Sequence, residues 1–525
     1  MNFKLSTRWQ RLLSAGQQDL LAEGMKGLEK ESLRLTPDGS IAQTPHPMAL
    51  GSALTHPWIT TDYSEALIEL ITPPFTDARE TLKFLGDIHR FVYSHLDDEI
   101  LLATSMPTGL AGDKSIPIAR YGHSNIGHMK HVYRRGLDYR YGRIMQSIAG
   151  VHFNYSVNES LWPVLHELDD ADLPLTDYIA DAYFGIIRNV HRHGWLLIYL
   201  FGNSPAISKS FFSGREDLAC QFHVFDKDTL FKPYATSLRM SDIGYRNDNQ
   251  TCLDISFNSL NEYVASLQAA ISQPYPAYEQ IGIKVDGDYR QLNANILQIE
   301  NEYYSAVRPK QIAKSGEKPT LALKKRGVRY LEIRALDLAG YQPAGISLEQ
   351  MQFLEVFILF CLMAESPALS GDEKAESSHN SLGTACCGRT PGYLLVRHGI
   401  GLPLKAWGQE ILEGMLMIAE ILDRKQTGQV YGDSIRHFQN ALENPDFTLA
   451  SQVLEDMHDK GESFTEYALR LSGSHQKHWL DPGLDKPRLD ELNYQAEVSL
   501  QEQDRIERDD RLSFDEFLAA YQKQT

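Results

Sequence analysis

Residues 26–40 of this 525-residue chain read KGLEKESLRLTPDGS. Pro37-Asp38-Gly39 is turn chemistry, and the run from Leu28 to Leu35 before it reads as a β-strand. Alternation on a strand places Glu29, Glu31, Leu33 and Leu35 on one face. Burying the leucines draws two like charges toward a low-dielectric interior, where each raises the other's pKa unless a cation stands between them.

Other segments repeat the pattern. Residues 57–73, PWITTDYSEALIELITP, place Glu69 inside an apolar run, with Asp62 and Glu65 upstream. As a strand, Glu65, Leu67, Glu69 and Ile71 share a face; as a helix, Asp62, Glu65 and Glu69 share a stripe, and the threonines favour the strand. In residues 150–156, GVHFNYS, an apolar face of Val151, Phe153 and Tyr155 backs a polar face of His152, Asn154 and Ser156. In VRYLEIRALDL, residues 328–338, Val328, Tyr330, Glu332, Arg334 and Leu336 fall on one face and Leu331, Ile333 and Ala335 on the other.

Joined, these faces collect Glu29, Glu31, Asp62, Glu69 and Glu332 as oxygen ligands and His152 as a nitrogen ligand. Such a set favours Mg²⁺ or Mn²⁺ over Zn²⁺. Mg²⁺ held by carboxylates commonly serves substrate phosphates. Neither G-x-x-x-x-G-K-[ST] nor G-x-G-x-x-G occurs, so phosphate must be held by metal and by basic side chains. Arg239, Arg308, Lys310 and Arg334 are the candidates. Tyr133 beside Arg134, Tyr245, and Tyr303 with Tyr304 lie next to these groups and combine a hydroxyl with an apolar wall.

The composition is globular, 42% hydrophobic and 23% charged, and the net charge of −18 argues against a nucleic-acid or anionic-membrane partner. Five irregularly spaced cysteines, Cys220, Cys252, Cys361, Cys386 and Cys387, form no C-x-x-C pair, which fits a reducing cytoplasm. The N-terminal stretch lacks the apolar core of a signal peptide and reads as an amphipathic helix. FLEVFILFCLMA, residues 353–364, is too short to span a bilayer and reads as a buried helix.

Helical periodicity is strongest near 5–23, 76–98, 172–193, 257–273, 346–365, 404–424, 431–442, 447–458 and 486–507, and strands are expected near 26–35, 57–72, 148–156, 195–201 and 328–336. The implied class is α+β: a mainly antiparallel sheet packed by helices, with a catalytic core over 1–345 and a helical region over 346–525. Residues 368–383, ALSGDEKAESSHNSLG, read as a polar loop, either a linker, a lid or plain surface.

In order along the chain, GLEKESLRLTPDG, HPMALGSALTHPWITTDYSEALIELITP, YGHSNIGHMKHVYRRGL, QSIAGVHFNYS, YLFGNSPA, PYATSLRMSDIGY, LQIENEYYSAVRPK and YLEIRALDL resemble the proteobacterial type of glutamate–cysteine ligase. The resemblance is most specific from about residue 20 to 340 and continues more faintly through the helical remainder. It implies a glutamine synthetase-like sheet curved into a funnel, with two or three Mg²⁺ or Mn²⁺ ions held by Glu29, Glu31, Asp62, Glu69, His152 and Glu332. It implies Tyr133, Tyr245 and Tyr304 around the cysteine substrate, and Arg134 and Arg239 as polar contacts to substrate carboxylates or phosphate. Arg334 and Arg239 are the expected catalytic residues, with Arg308 and Lys310 at the nucleotide. The implied reaction is ATP-dependent γ-glutamylcysteine formation, the first step of glutathione biosynthesis, with small-molecule substrates and no obligate protein partner. Gln311 departs from the family pattern, in which arginine often follows RPK, and so does the surround of Cys386-Cys387. The alternatives are a ligase joining glutamate to another amine, including a bifunctional glutathione maker, and an amino-acid or metal binding protein without turnover. A carboxylate-dyad glycosidase would need neither the histidine nor the arginines.

Overall fold

A computed structural model describes residues 6–244 and 253–524. Its centre is a seven-stranded sheet: β1 (Met25–Leu35), β2 (Ile59–Thr61), β3 (Leu67–Ile71), β4 (Ile100–Leu101), β5 (Val151–Ser156), β6 (Val307–Lys310) and β7 (Tyr330–Leu336). The order is β6-β7-β5-β1-β3-β2, with β4 on the far end of β1, and every pairing is antiparallel. The chain leaves β1 through the expected turn. Gly39, at φ +83°, donates its N–H to the Thr36 carbonyl in a conformation that a side chain would strain.

Register sorts the side chains. Directly paired residues share a face, so Glu29 opposite His152 and Glu31 opposite Glu69 lie together, and Glu332 opposite Arg308 joins them. The other face carries Leu28, Val151, Phe153, Leu331 and Ile333, all fully buried. Helix Leu348–Met363 packs against that underside and is buried along nearly its whole length. Ser347 and Gln350 close its first turn in a capping box. Among the described residues no helix is long and apolar enough to cross a membrane.

The underside also carries charge. Lys26 on β1 meets Glu355 at 2.8 Å, and Tyr155 and Tyr431 donate to the same carboxylate at 3.4 and 2.9 Å. Both ions are almost wholly buried, so each depends on the other for its solvation.

Four expectations are corrected. Residues 195–201 form a helix, Trp195–Phe201, not a strand. Seven consecutive apolar residues carry no period to separate the two, and the helix follows Leu175–His193 after Gly194. Residues 368–383 are not a loop but most of helix Gly371–Cys387, begun by Ser370 accepting from the Glu373 amide. The span 57–72 is a hairpin of β2 and β3, and Glu65 lies in its turn, where its carboxylate accepts from the His46 and Arg120 amides. Leu336 leaves the Glu332–Arg334 face: a bulge between Ile333 and Leu336 sets Leu336 opposite Val151, on the underside.

Long helices dominate the chain after residue 346, as expected. Helix Lys486–Asp509 clasps the loop before β2, where Ser52 N–H donates to Ser499 Oγ at 2.9 Å. Asp510 then accepts from the backbone and side chain of Asn125, at the start of helix Asn125–Tyr141. That helix carries Tyr133 and Arg134 to the polar side of the sheet.

Candidate active site

Glu29, His152 and Glu332 offer ligand atoms that all lie within 4.8 Å of one another. His152 Nδ1 is 3.2 Å from Glu29 and 3.6 Å from Glu332, and Nε2 is 3.7 Å from Glu31. Asn154 donates to the second Glu29 oxygen at 2.8 Å. Arg334 Nη1 and Lys310 Nζ reach Glu332 Oε1 at 3.0 and 3.1 Å. Arg308 is anchored through its guanidinium to the carbonyls of Asn301 and Tyr303.

Beside this cluster opens a cavity of about 120 Å³. Glu31, Asp62 and Arg334 form its polar end, and Tyr133, Arg134, Tyr304 and Arg308 its walls. Arg134 stacks over Tyr121 at 4.7 Å and donates to the Asp62 carbonyl at 2.5 Å, which holds the turn between β2 and β3 in place. Arg239 is buried against Gly150, beside Glu31, and its Nη1 contacts Met240 Sδ at 3.4 Å; Tyr304 Oη reaches the same sulfur at 3.1 Å. The expected site residues therefore converge, except Tyr245, which lies outside the described residues. Tyr63, Gln146 and Glu302 also line the cavity and were not anticipated. Tyr63 adjoins Asp62, and Glu302 precedes the Tyr303-Tyr304 pair, so adjacency was the available signal.

The electrostatics answer how so many acids share one face. Burial raises the Glu332 carboxyl, but Arg334, Lys310, His152 and Arg308 outweigh it and hold it well below the usual range. Glu29 is raised by burial and by Glu332, yet the His152 hydrogen bond and Lys310 bring it below its ordinary value. Glu31 has less help: burial and Asp62 push it up to about 8 against Arg239 and Arg334. Burial and then Glu29, Asp62 and Glu31 raise Glu69 well above the normal range. Burial and Arg334 depress His152, favouring the neutral ring that a metal requires.

The residues fit a divalent cation. His152 Nε2 and Glu332 Oε2 are buried with no hydrogen-bond partner among the described residues, an arrangement that is unfavourable unless something further engages them. Proton linkage gives a test. Glu31 stays protonated in the folded metal-free chain up to about pH 8, whereas an unfolded chain ionises it near 4.5. This group therefore withdraws stability from the metal-free protein as pH rises from 4.5 to 8. A cation needs the ionised form, so Mg²⁺ uptake should release protons and tighten with pH up to that point. Calorimetry in two buffers of different ionisation heat measures this; affinity constant between about pH 6.5 and 8.5 would contradict it.

The sequence profile described as glutamate-cysteine ligase matches residues 9–383. This chain belongs to the glutamate–cysteine ligase family. It is 48% identical to a glutamate–cysteine ligase of Alcanivorax borkumensis over 98% of this chain and 99% of that protein. It is 47% identical to that of Pseudomonas paraeruginosa over 99% and 98%. Among solved structures, glutamate–cysteine ligase from Francisella tularensis in complex with AMP superposes with a TM-score of 0.89 at 34% identity, covering 96% of this chain and 98% of that one. A bifunctional glutathione synthetase from Pasteurella multocida shares the fold at TM-score 0.70 and 24% identity, over 95% of this chain and 57% of that one. Family membership makes the chain an enzyme.

Proposed function

We propose that the chain joins the γ-carboxylate of L-glutamate to the amine of L-cysteine, with ATP converted to ADP and phosphate. The observation that carries this reading is the Glu29–His152–Glu332 cluster, flanked by Arg334 and Lys310 and opening on a tyrosine-walled cavity, in a chain of this family.

A carboxylate is a poor acylating agent, so the ATP γ-phosphoryl is first transferred to it as γ-glutamyl phosphate. The amine then displaces phosphate. Arg308 and Lys310 bind the nucleotide phosphates from β6. Arg334, held between Glu332 and His152, meets the charge that develops on the transferring phosphoryl. Glu29, His152 and Glu332 would hold one Mg²⁺ or Mn²⁺ ion, and Glu31, Asp62 and Glu69 a second. Bound there, the cations offset phosphate charge and polarise the phosphoryl group. Arg239 faces the anionic amino-acid substrate from beside Glu31. Tyr133 and Tyr304, with Tyr63 beside them, enclose the cysteine side chain. The helical region over 346–525 serves as a jacket on a catalytic core over 1–345. A reducing cytoplasm, where cysteine stays a thiol, is the fitting compartment.

Protein supplied with glutamate, cysteine, ATP and Mg²⁺ should release ADP and phosphate only when all four are present. Phosphate release that ignores the omission of cysteine would overturn ligation. Turnover on cysteine, 2-aminobutyrate and alanine then reads the selectivity of the pocket, where one small group is worth about 1–3 kcal/mol.

A further inference from the structure

We infer that Asp337 is a positioning residue for this site, fixing Arg239 through the hydroxyls of Ser204 and Ser237. The inference rests on the reading of Arg239 as a contact to the anionic amino-acid substrate. Asp337 follows directly on β7 and is buried. Its Oδ2 accepts from the Asn203 amide at 2.8 Å and from Ser204 Oγ at 2.6 Å, and its Oδ1 accepts from Ser237 Oγ at 2.8 Å.

Each serine has one hydroxyl proton, and both give it to Asp337. Their oxygens are thereby left as acceptors. Ser204 Oγ accepts from the Arg239 amide at 3.3 Å, and Ser237 Oγ accepts from the Met240 amide at 3.2 Å. Leu238 N–H adds a bond to the Ser204 carbonyl at 2.8 Å. One carboxylate thus fixes two successive amides of the segment carrying Arg239. The side chain has little slack: it is 1% exposed, and a Cβ on Gly150 would come within 2.3 Å of its guanidinium. Met240 ties the same segment to the Tyr304 hydroxyl. A shift in these amides therefore moves a cation beside Glu31 and a wall of the substrate cavity together.

Asp337→Asn keeps the shape but replaces one acceptor oxygen with a donor, so one serine must turn its proton elsewhere and its hold on the Arg239–Met240 backbone loosens. The test is a double-mutant cycle with Arg239→Ala, reading KM for glutamate and for ATP separately. Asp337→Asn should raise KM for glutamate about tenfold in the parent and less than about twofold in the Arg239→Ala background, with KM for ATP unmoved. If Asp337→Asn does not fold, Ser237→Ala enters the same cycle, with an expected rise of about threefold. The same factor in both backgrounds, or no rise in either, overturns the inference. If Arg239→Ala itself leaves KM for glutamate unchanged, the reading of Arg239 fails first, and this one falls with it.

Discussion

Glu332→Gln should lower turnover about 10³-fold, the scale of removing one preorganised electrostatic group from an active site. Glutamine preserves the shape and removes the charge. Glu332 is fully buried, and its Oε1 serves Arg334 at 3.0 Å and Lys310 at 3.1 Å at once, while Oε2 has no hydrogen-bond partner among the described residues. Losing that charge leaves Arg334 and Lys310 without their shared counterion and takes away one of the three candidate ligands of one ion. Breaking such a buried set costs about 3–5 kcal/mol, so the variant should also melt earlier without substrates. ADP release across a Mg²⁺ titration checks the first effect and thermal unfolding the second. Turnover within about tenfold of the parent at saturating Mg²⁺ would remove Glu332 from the chemistry.

Arg334→Lys should cost about 10² in kcat with little change in KM for ATP. Lysine keeps the charge and loses the planar fork. Arg334 Nη1 lies 3.0 Å from Glu332, a contact that a single ammonium cannot reproduce while also aiming donors at a phosphoryl group. Burial disfavours the guanidinium charge, but Glu332 above all, and Glu29 with it, offset this, so Arg334 stays cationic. An interaction made only in the transition state appears in kcat alone. Steady-state kinetics with ATP varied separates the cases; a rise in KM for ATP as large as the fall in kcat would assign Arg334 to nucleotide binding instead.

The cluster was legible because its strands violate their own patterning. Glu29 and Glu31 beside Leu33, and Glu332 and Arg334 interleaved with Leu331, Ile333 and Ala335, place charge where a sheet expects apolar side chains, and period-two alternation says which charges share a face. Register then matched the reading: Glu29 opposite His152, Glu31 opposite Glu69. Trp195–Phe201 was not legible, since a uniformly apolar run has no phase to read. Helix Gly371–Cys387 was obscured by small polar residues, although Ser370 with Asp372 and Glu373 is a recognisable helix start. Tyr63 and Glu302 reach the cavity from a turn and a short 3₁₀ segment, where alternation gives no direction. The role assigned to Asp337 could not be read from spacing, because its partners come from two loops more than a hundred and thirty, and exactly a hundred, positions away.

The bulge in β7 gives that strand two independent phases. Before it, Glu332 and Arg334 follow the polar face; after it, Leu336 pairs with Val151 on the underside and Asp337 turns toward Ser204 and Ser237. Ala335 is thus a joint between a half that carries the charges of the site and a half that anchors the loop bearing Arg239. A one-residue deletion at this joint would remove the change of phase and set the charged pair and the Asp337 anchor in competition for a single register.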